Sequence, residues 1–238
     1  MFEALILSAQ DLPPSLVTCA PLISLIGTLG TLMLSNTFGK EDSDNSCLHI
    51  WEAYVAAVSN MGSSIDAMDI AIEGMLLIKK WLIKAVKEGE NLEARANMLT
   101  SSSMGATAFQ KGLGAIHSLS HPVNSMFDVH HGLSNGIFMP YVLTFNRSII
   151  ENRIAKLSGY LELKKASFNS FVDWVLDLRD KIKIPHKISD SAKLTNDDIE
   201  KLSPMALNDP CTPGNPKKTT LDDMKLMYRH SVEGKLFD

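Results

Sequence analysis

Apolar side chains recur every three or four positions along much of the chain, which is the spacing of one face of an α-helix. The clearest run follows Ser63 and Ser64, which can cap a helix, and ends near Gly89. Its apolar positions are Ile65, Met68, Ile72, Met75, Ile78 and Leu82. We interpret this methionine-rich stripe as part of a hydrophobic core and not as a cofactor contact.

The same reasoning predicts further helices along the rest of the chain. Asn91 can cap one of them, and Thr195 or Asn196 can cap another. Helical patterns cover residues 91–109, 148–160, 166–181 and 220–236. No run keeps the two-residue period of a strand long enough to propose a sheet. The sequence therefore predicts an all-α fold.

The first 46 residues have a different character. Residues 12–39 contain no charged residue and no histidine. This run is long enough for a membrane helix, which needs about 20 apolar residues. However, Pro13, Pro14 and Pro21 interrupt the run, and its flanks show no excess of positive charge. The hypothesis of a membrane-anchored protein depends on this segment alone, and we do not predict a membrane span. Residues 40–46 are polar and are predicted to form a loop.

Composition narrows the partners and the compartment. The net charge of −4 gives no reason to expect a nucleic-acid partner. The three cysteines, at positions 19, 47 and 211, lie far apart and predict neither a disulfide framework nor a CxxC metal clip. The N-terminus lacks the basic start of a secretory signal. We therefore expect a cytoplasmic protein.

Histidines are concentrated in residues 112–141, which hold four of the seven in the chain. His117 and His121 are four residues apart, so a helix would place them on one face. His131 follows a predicted break at Pro122, which would let the chain present a further imidazole to the same point. Any one of these histidines could be an ordinary surface or core residue. Their clustering favours a metal site, because neutral imidazole is a common ligand for zinc and divalent iron.

The same segment resembles the signature of the iron-containing (group III) alcohol dehydrogenases. The matching residues run from Lys111 to His117, from Ser120 to Pro122, from His130 to Asn135 and from Phe138 to Leu143. The family combines an N-terminal α/β nucleotide-binding domain with a helical metal-binding domain. This chain resembles the second without the first. The resemblance thus implies a helical bundle like the family's C-terminal domain at residues 47–238, preceded at 1–46 by a remnant linker, an apolar insertion and a loop.

The resemblance also implies a ligand set and a reaction. The family holds Fe2+, sometimes Zn2+, with one aspartate and three histidines. The corresponding residues here are His49, His117 and His131, with Asn45 in the place of the aspartate. His121 matches a catalytic histidine thought to move protons near the substrate. The implied reaction transfers a hydride between a small alcohol or aldehyde and NAD(P). The chain could also form a homo-oligomer.

Departures from the family pattern lead us to expect an impaired enzyme. The nucleotide-binding domain is missing from the chain, and Asn45 removes the only anionic ligand. Asp44 or Asp42 could replace that charge from the adjoining loop. Asn124 stands where the family usually has glycine, which suggests an altered backbone in the substrate pocket. The alternative hypothesis is a non-catalytic helical metal-binding or interaction module.

Overall fold

A computed structural model describes residues 65–108 and 112–238 of the chain. These residues form seven α-helices and no strand, which confirms the predicted all-α fold. The helices are α1 (Ile65–Lys87), α2 (Leu92–Ala108), α3 (Ala115–Phe127), α4 (His131–Tyr160), α5 (Phe168–Lys181), α6 (Asn196–Leu207) and α7 (Leu221–Glu233). Short 3-10 helices at Ile188–Asp190 and Thr212–Gly214 join the last of them. The predicted caps at Ser63 and Ser64 and the apolar run at 12–39 lie outside the described residues.

Side-chain caps define several of the helix starts. Asn91 accepts a hydrogen bond from the backbone N–H of Ala94 and so caps α2, as predicted. Thr195, one of the two predicted candidates, caps α6 in a capping box with Asp198. These contacts satisfy N–H groups that have no partner within the helix. Local sequence therefore fixed these helix starts.

The long helix α4 lies at the centre of the described bundle. It packs against α3, α5 and α7, and every residue from Ser134 to Asn146 is buried. The helical pattern in the sequence begins only at residue 148, so the prediction missed the first half of α4. A helix that is buried on all sides has no polar face, and its apolar residues therefore lose the period of an amphipathic helix.

The predicted break at Pro122 is wrong, because Pro122 lies inside α3 and is buried there. The helix continues to Phe127 and ends at Asp128, which adopts the left-handed conformation (φ 53°). A proline removes one hydrogen bond from a helix interior. Packing of the surrounding buried face of α3, including Val123, offsets that loss. The reversal that leads to α4 is therefore made by the residues after α3.

Helices α1 and α2 pack chiefly against each other as an antiparallel hairpin. Met75, Ile78 and Leu82 have no exposed surface, so these three positions of the methionine-rich stripe lie in the core, as predicted. Ser101 in α2 donates a hydrogen bond of 3.1 Å to the carbonyl of Gly74 in α1. Within the described ranges, no helix combines the length and apolarity that a membrane crossing needs.

The buried amide of Asn215 ties the C-terminal loop to two helices. Its Oδ1 accepts hydrogen bonds from the backbone N–H of Ala115 at the start of α3 (3.2 Å) and from Asn146 of α4 (2.9 Å). Its Nδ2 donates to Asn146 Oδ1 (2.9 Å) and to the carbonyl of Lys217 (2.6 Å). Gly114, the residue before α3, has no side chain to cap the helix. Asn215, 100 residues later in the sequence, therefore accepts the hydrogen bond from the first backbone N–H of α3.

Close backbone packing beside this amide gives a first prediction. A methyl group at Gly214 would lie 2.0 Å from the carbonyl oxygen of Leu113, which no side-chain rotation can relieve. We expect Gly214→Ala to lower the free energy of unfolding by roughly 1–3 kcal/mol. Gly89→Ala is the matched control, because no atom lies within 4 Å of the added methyl group there. Urea denaturation measures both variants, and equal effects at the two glycines would contradict the packing argument.

Candidate metal centre

Three of the predicted histidines meet where α3 packs against the start of α4. His117 and His121 lie one turn apart on α3, and His131 is the first residue of α4. Their ring centroids are 5.5 Å apart for His117 and His121, 5.0 Å for His117 and His131, and 5.3 Å for His121 and His131. Each ring offers one nitrogen, and these three nitrogens all lie within 4.8 Å of one another. We call this group the histidine cluster.

His117 is the most buried member of the histidine cluster, with 1% of its surface exposed. Burial, together with the neighbouring His121, lowers the pKa of His117 to about 3, although Asp209 opposes the shift. The imidazole is therefore neutral at physiological pH. A neutral imidazole keeps one nitrogen lone pair, which is the form that binds a metal ion.

His131 lies between two asparagine side chains. Its Nδ1 is 2.7 Å from Oδ1 of Asn124, and its Nε2 is 3.1 Å from Nδ2 of Asn135. The same amide nitrogen of Asn135 is 3.5 Å from Nε2 of His117. The two Nε2 atoms thus face one buried amide group, so both are directed toward the same small volume.

His121 is more exposed and has an anionic partner. Its side chain is 40% exposed, and its Nδ1 is 2.7 Å from Oδ2 of Asp209, whose side chain is only 9% exposed. Burial by itself would raise the pKa of Asp209, but hydrogen bonds from the Cys211 backbone N–H and from His121 outweigh it and hold that pKa below its usual range. Asp209 is therefore ionised at neutral pH. His121, Asp209 and Cys211 also have ligand-type atoms within 4.8 Å of one another.

Comparison with known proteins places this arrangement in a family. The family model described as "Fe-containing alcohol dehydrogenase family, C-terminal" matches residues 45–232. The chain belongs to the iron-containing alcohol dehydrogenase family. The match contains the whole histidine cluster together with Asp209.

Individual members of the iron-containing alcohol dehydrogenases support this assignment. A 4-hydroxybutyrate dehydrogenase from Cupriavidus necator is 32% identical over 195 residues, covering 77% of this chain and 49% of that protein. An NAD-dependent methanol dehydrogenase from Bacillus methanolicus is 32% identical over 191 residues, with the same coverage of 77% and 49%. The chain thus spans about half the length of these relatives.

Solved structures agree with the fold. The crystal structure of a 1,3-propanediol oxidoreductase superposes with a TM-score of 0.78 at 21% identity, over 82% of this chain and 53% of that one. At this identity the likeness concerns the fold. It shows that the helices around the histidine cluster have an arrangement already seen in a solved structure.

The residues of the histidine cluster fit a divalent metal ion of the kind that the family name implies. The ligand-type nitrogens of His117 and His131, which are no more than 4.8 Å apart, share a point within about 2.4 Å of each, compared with roughly 2.0–2.1 Å for a zinc–imidazole bond. Shifts of less than about 1 Å would therefore bring the rings to bonding distance. Imidazole nitrogens are donors that suit zinc and divalent iron.

The structure brings together only some of the predicted site residues. His117, His121 and His131 converge, whereas Asn45 and His49 lie outside the described residues. The division of roles, with metal ligands on one side and catalytic His121 on the other, stays a prediction. Sequence reasoning missed Asp209 and the contacts of Asn124 and Asn135 with His131. Asp209 lies 88 residues from His121, and no periodicity in the sequence connects the two.

The buried imidazole of His117 gives a prediction for the metal-free protein. In the folded chain its pKa is about 3, whereas an unfolded histidine titrates near 6.5. Between these values the unfolded chain binds more protons, so the free energy of unfolding must fall as the pH falls. We expect this group to contribute a slope of up to about 1.3 kcal/mol per pH unit in that interval.

Urea denaturation at several pH values, with a chelator present, measures this slope. His117→Gln should flatten the dependence. His130→Gln, which replaces an exposed histidine at the start of α4, should keep the slope of the wild type. An unchanged slope in His117→Gln would show that His117 does not carry the effect.

Proposed function

We propose that this chain provides the helical metal-binding part of an alcohol dehydrogenase that acts on small alcohols or aldehydes with NAD(P). The convergence of three imidazoles where α3 packs against the start of α4, in a chain of this family, is the observation that carries the proposal. The names of the relatives support the substrate and cofactor classes, since they include methanol and 4-hydroxybutyrate dehydrogenases, one of them NAD-dependent. Residues 47–238 form this part in the proposal, and residues 1–46 form a linker with an apolar insertion.

The proposed ligands of Fe2+ or Zn2+ are His117 and His131, with His49 and Asn45 from the part of the chain outside the described residues. A divalent ion held there would act as a Lewis acid on the substrate oxygen. NAD(P) would accept or donate the hydride. The protein's own contribution is to present neutral ring nitrogens from two packed helices, since His117 is held neutral by burial.

His121 is the proposed proton carrier. Ionised Asp209 accepts the hydrogen of its Nδ1, which leaves the lone pair of the ring on Nε2. That atom can take a proton from a substrate hydroxyl bound beside the histidine cluster. Because the side chain is 40% exposed, the proton can then pass to solvent. Asp209 orients the ring through its contact with Nδ1.

A neutral donor set would weaken this centre. If Asn45 takes the place of an aspartate, a dication has only neutral ligands around it, and a carboxylate-dependent iron site loses more than a zinc site. This feature favours the second candidate function, a non-catalytic helical metal-binding or interaction module. The proposal further assigns the protein to the cytoplasm and gives it no nucleic-acid partner, in line with its net charge of −4. The proposal is compatible with both a monomer and a homo-oligomer.

Zinc titration of histidine variants tests the division of roles. We expect His117→Gln to lower zinc affinity at least tenfold, because it removes a buried ligand. His121→Gln should change the affinity by less than about threefold, because its ring serves the proton and not the metal. Competition with a chromophoric chelator gives both values. An equal loss in both variants would make His121 a ligand, and no loss in either would remove the site.

Replacing Asn45 with aspartate tests whether the proposed metal centre is catalytic. Asn45→Asp should raise metal affinity, more for Fe2+ than for Zn2+, because the added charge compensates the dication. Turnover of short alcohols with NAD or NADP should be low in the wild type and should rise in this variant. Asp44→Ala is the control and should leave the affinity unchanged. If it lowers the affinity while Asn45→Asp has no effect, the ligand comes from the loop. Metal binding without turnover in every variant would favour the non-catalytic module.

A further inference from the structure

Asn124 has a fixed amide orientation in the last turn of α3. Its Nδ2 lies 2.9 Å from the carbonyl oxygen of Val129 and 2.7 Å from Oγ of Ser134. A backbone carbonyl only accepts hydrogen bonds, so the NH2 side of the amide must face Val129. The carbonyl side, Oδ1, must therefore face Nδ1 of His131, which is 2.7 Å away.

This orientation determines the tautomer of His131. Because Oδ1 of Asn124 can only accept, Nδ1 of His131 must carry the hydrogen. In the neutral ring the lone pair then lies on Nε2. That atom faces the histidine cluster, since it lies 3.1 Å from the Asn135 amide nitrogen that also approaches Nε2 of His117.

We propose that Asn124 is a positioning residue that holds neutral His131 in the Nδ1–H tautomer and thereby offers its Nε2 to a metal ion. The inference rests on the proposed function, because it concerns the same metal centre. An outer partner that accepts the hydrogen of the second ring nitrogen both orients the ligand and raises its basicity. In this chain a neutral amide side chain on α3 fills that role for the first residue of α4.

Asn124 also has a structural role that the test must separate from positioning. Its amide group connects α3 to Val129 and Ser134, so removing it loosens the turn between the helices. Asn124→Ala removes both roles. Asn124→Asp keeps an acceptor for His131 but loses the two donated hydrogen bonds. Ser134→Ala keeps the acceptor and removes one of the turn contacts.

Two measurements on the full chain decide the role. In the metal-free protein, 15N-detected imidazole spectra report the tautomer of His131, assigned by comparison with His131→Gln. Zinc competition then gives the affinity. We expect the Nδ1–H tautomer in the wild type, Asn124→Asp and Ser134→Ala, with zinc affinity within about threefold of the wild type or higher. Asn124→Ala should show a mixture of tautomers and a zinc affinity lower by roughly 10- to 100-fold.

Several outcomes would overturn the inference. A wild-type His131 with its hydrogen on Nε2 would do so, even if no variant folded. The same holds if Asn124→Ala keeps both tautomer and affinity, or if Asn124→Asp is as impaired as Asn124→Ala, because the turn contacts would then account for the effect. If the wild type binds no zinc, the proposed metal centre fails, while the tautomer in the metal-free protein still decides whether Asn124 positions His131.

Discussion

One buried amide, that of Asn215, joins the parts of the chain on which the histidine cluster depends. It caps the start of α3, pairs with Asn146 in the middle of α4, and holds its own loop through the carbonyl of Lys217. That loop also carries Asp209, the partner of His121. A buried polar group of this kind costs stability unless all its hydrogen bonds are made, and here they are made only when the three segments are in place together. The arrangement of the site is thus coupled to the folding of the bundle.

Burial and hydrogen bonding give the three histidines different properties at nearly the same place. His117 is enclosed and stays neutral, with its pKa lowered to about 3. His131 is half-buried and neutral amides flank its ring, whereas His121 reaches solvent and contacts an ionised carboxylate. In the proposed function these differences suit His117 and His131 to metal binding and His121 to proton transfer. The rings differ in their burial and in whether the nearest partner is a neutral amide or a carboxylate.

The chain spans about half of the relatives that it matches, and its fold is that of a helical dehydrogenase domain. Asn124 contacts the ring of His131, a proposed ligand, and Asn45 is itself proposed as a ligand in the place of an aspartate. Under that proposal the metal ion has no anionic ligand. The centre would then test how far neutral donors can sustain a metal site.

The sequence by itself determined the helical fold class, several helix starts and the position of His117 and His121 on one helix face. These depend on interactions between residues close in the chain, such as the cap at Thr195 and the four-residue spacing of His117 and His121. Sequence reasoning failed where the local signal was absent or misleading. The first half of α4 has no polar face, and Pro122 continues a helix that it was expected to break.

Only the tertiary structure decided which groups surround each histidine. Asp209 reaches His121 across 88 residues, and Asn215 reaches the start of α3 across 100. Neither contact has a periodic or motif signature, because it arises from packing of elements distant in sequence. Asn124 is near His131 in the chain, yet the sequence could not give its orientation, which depends on the carbonyl of Val129 in the folded turn. Residue types fix which chemistry is available, and the packing of α3, α4 and the C-terminal loop fixes which atom of each ring is offered.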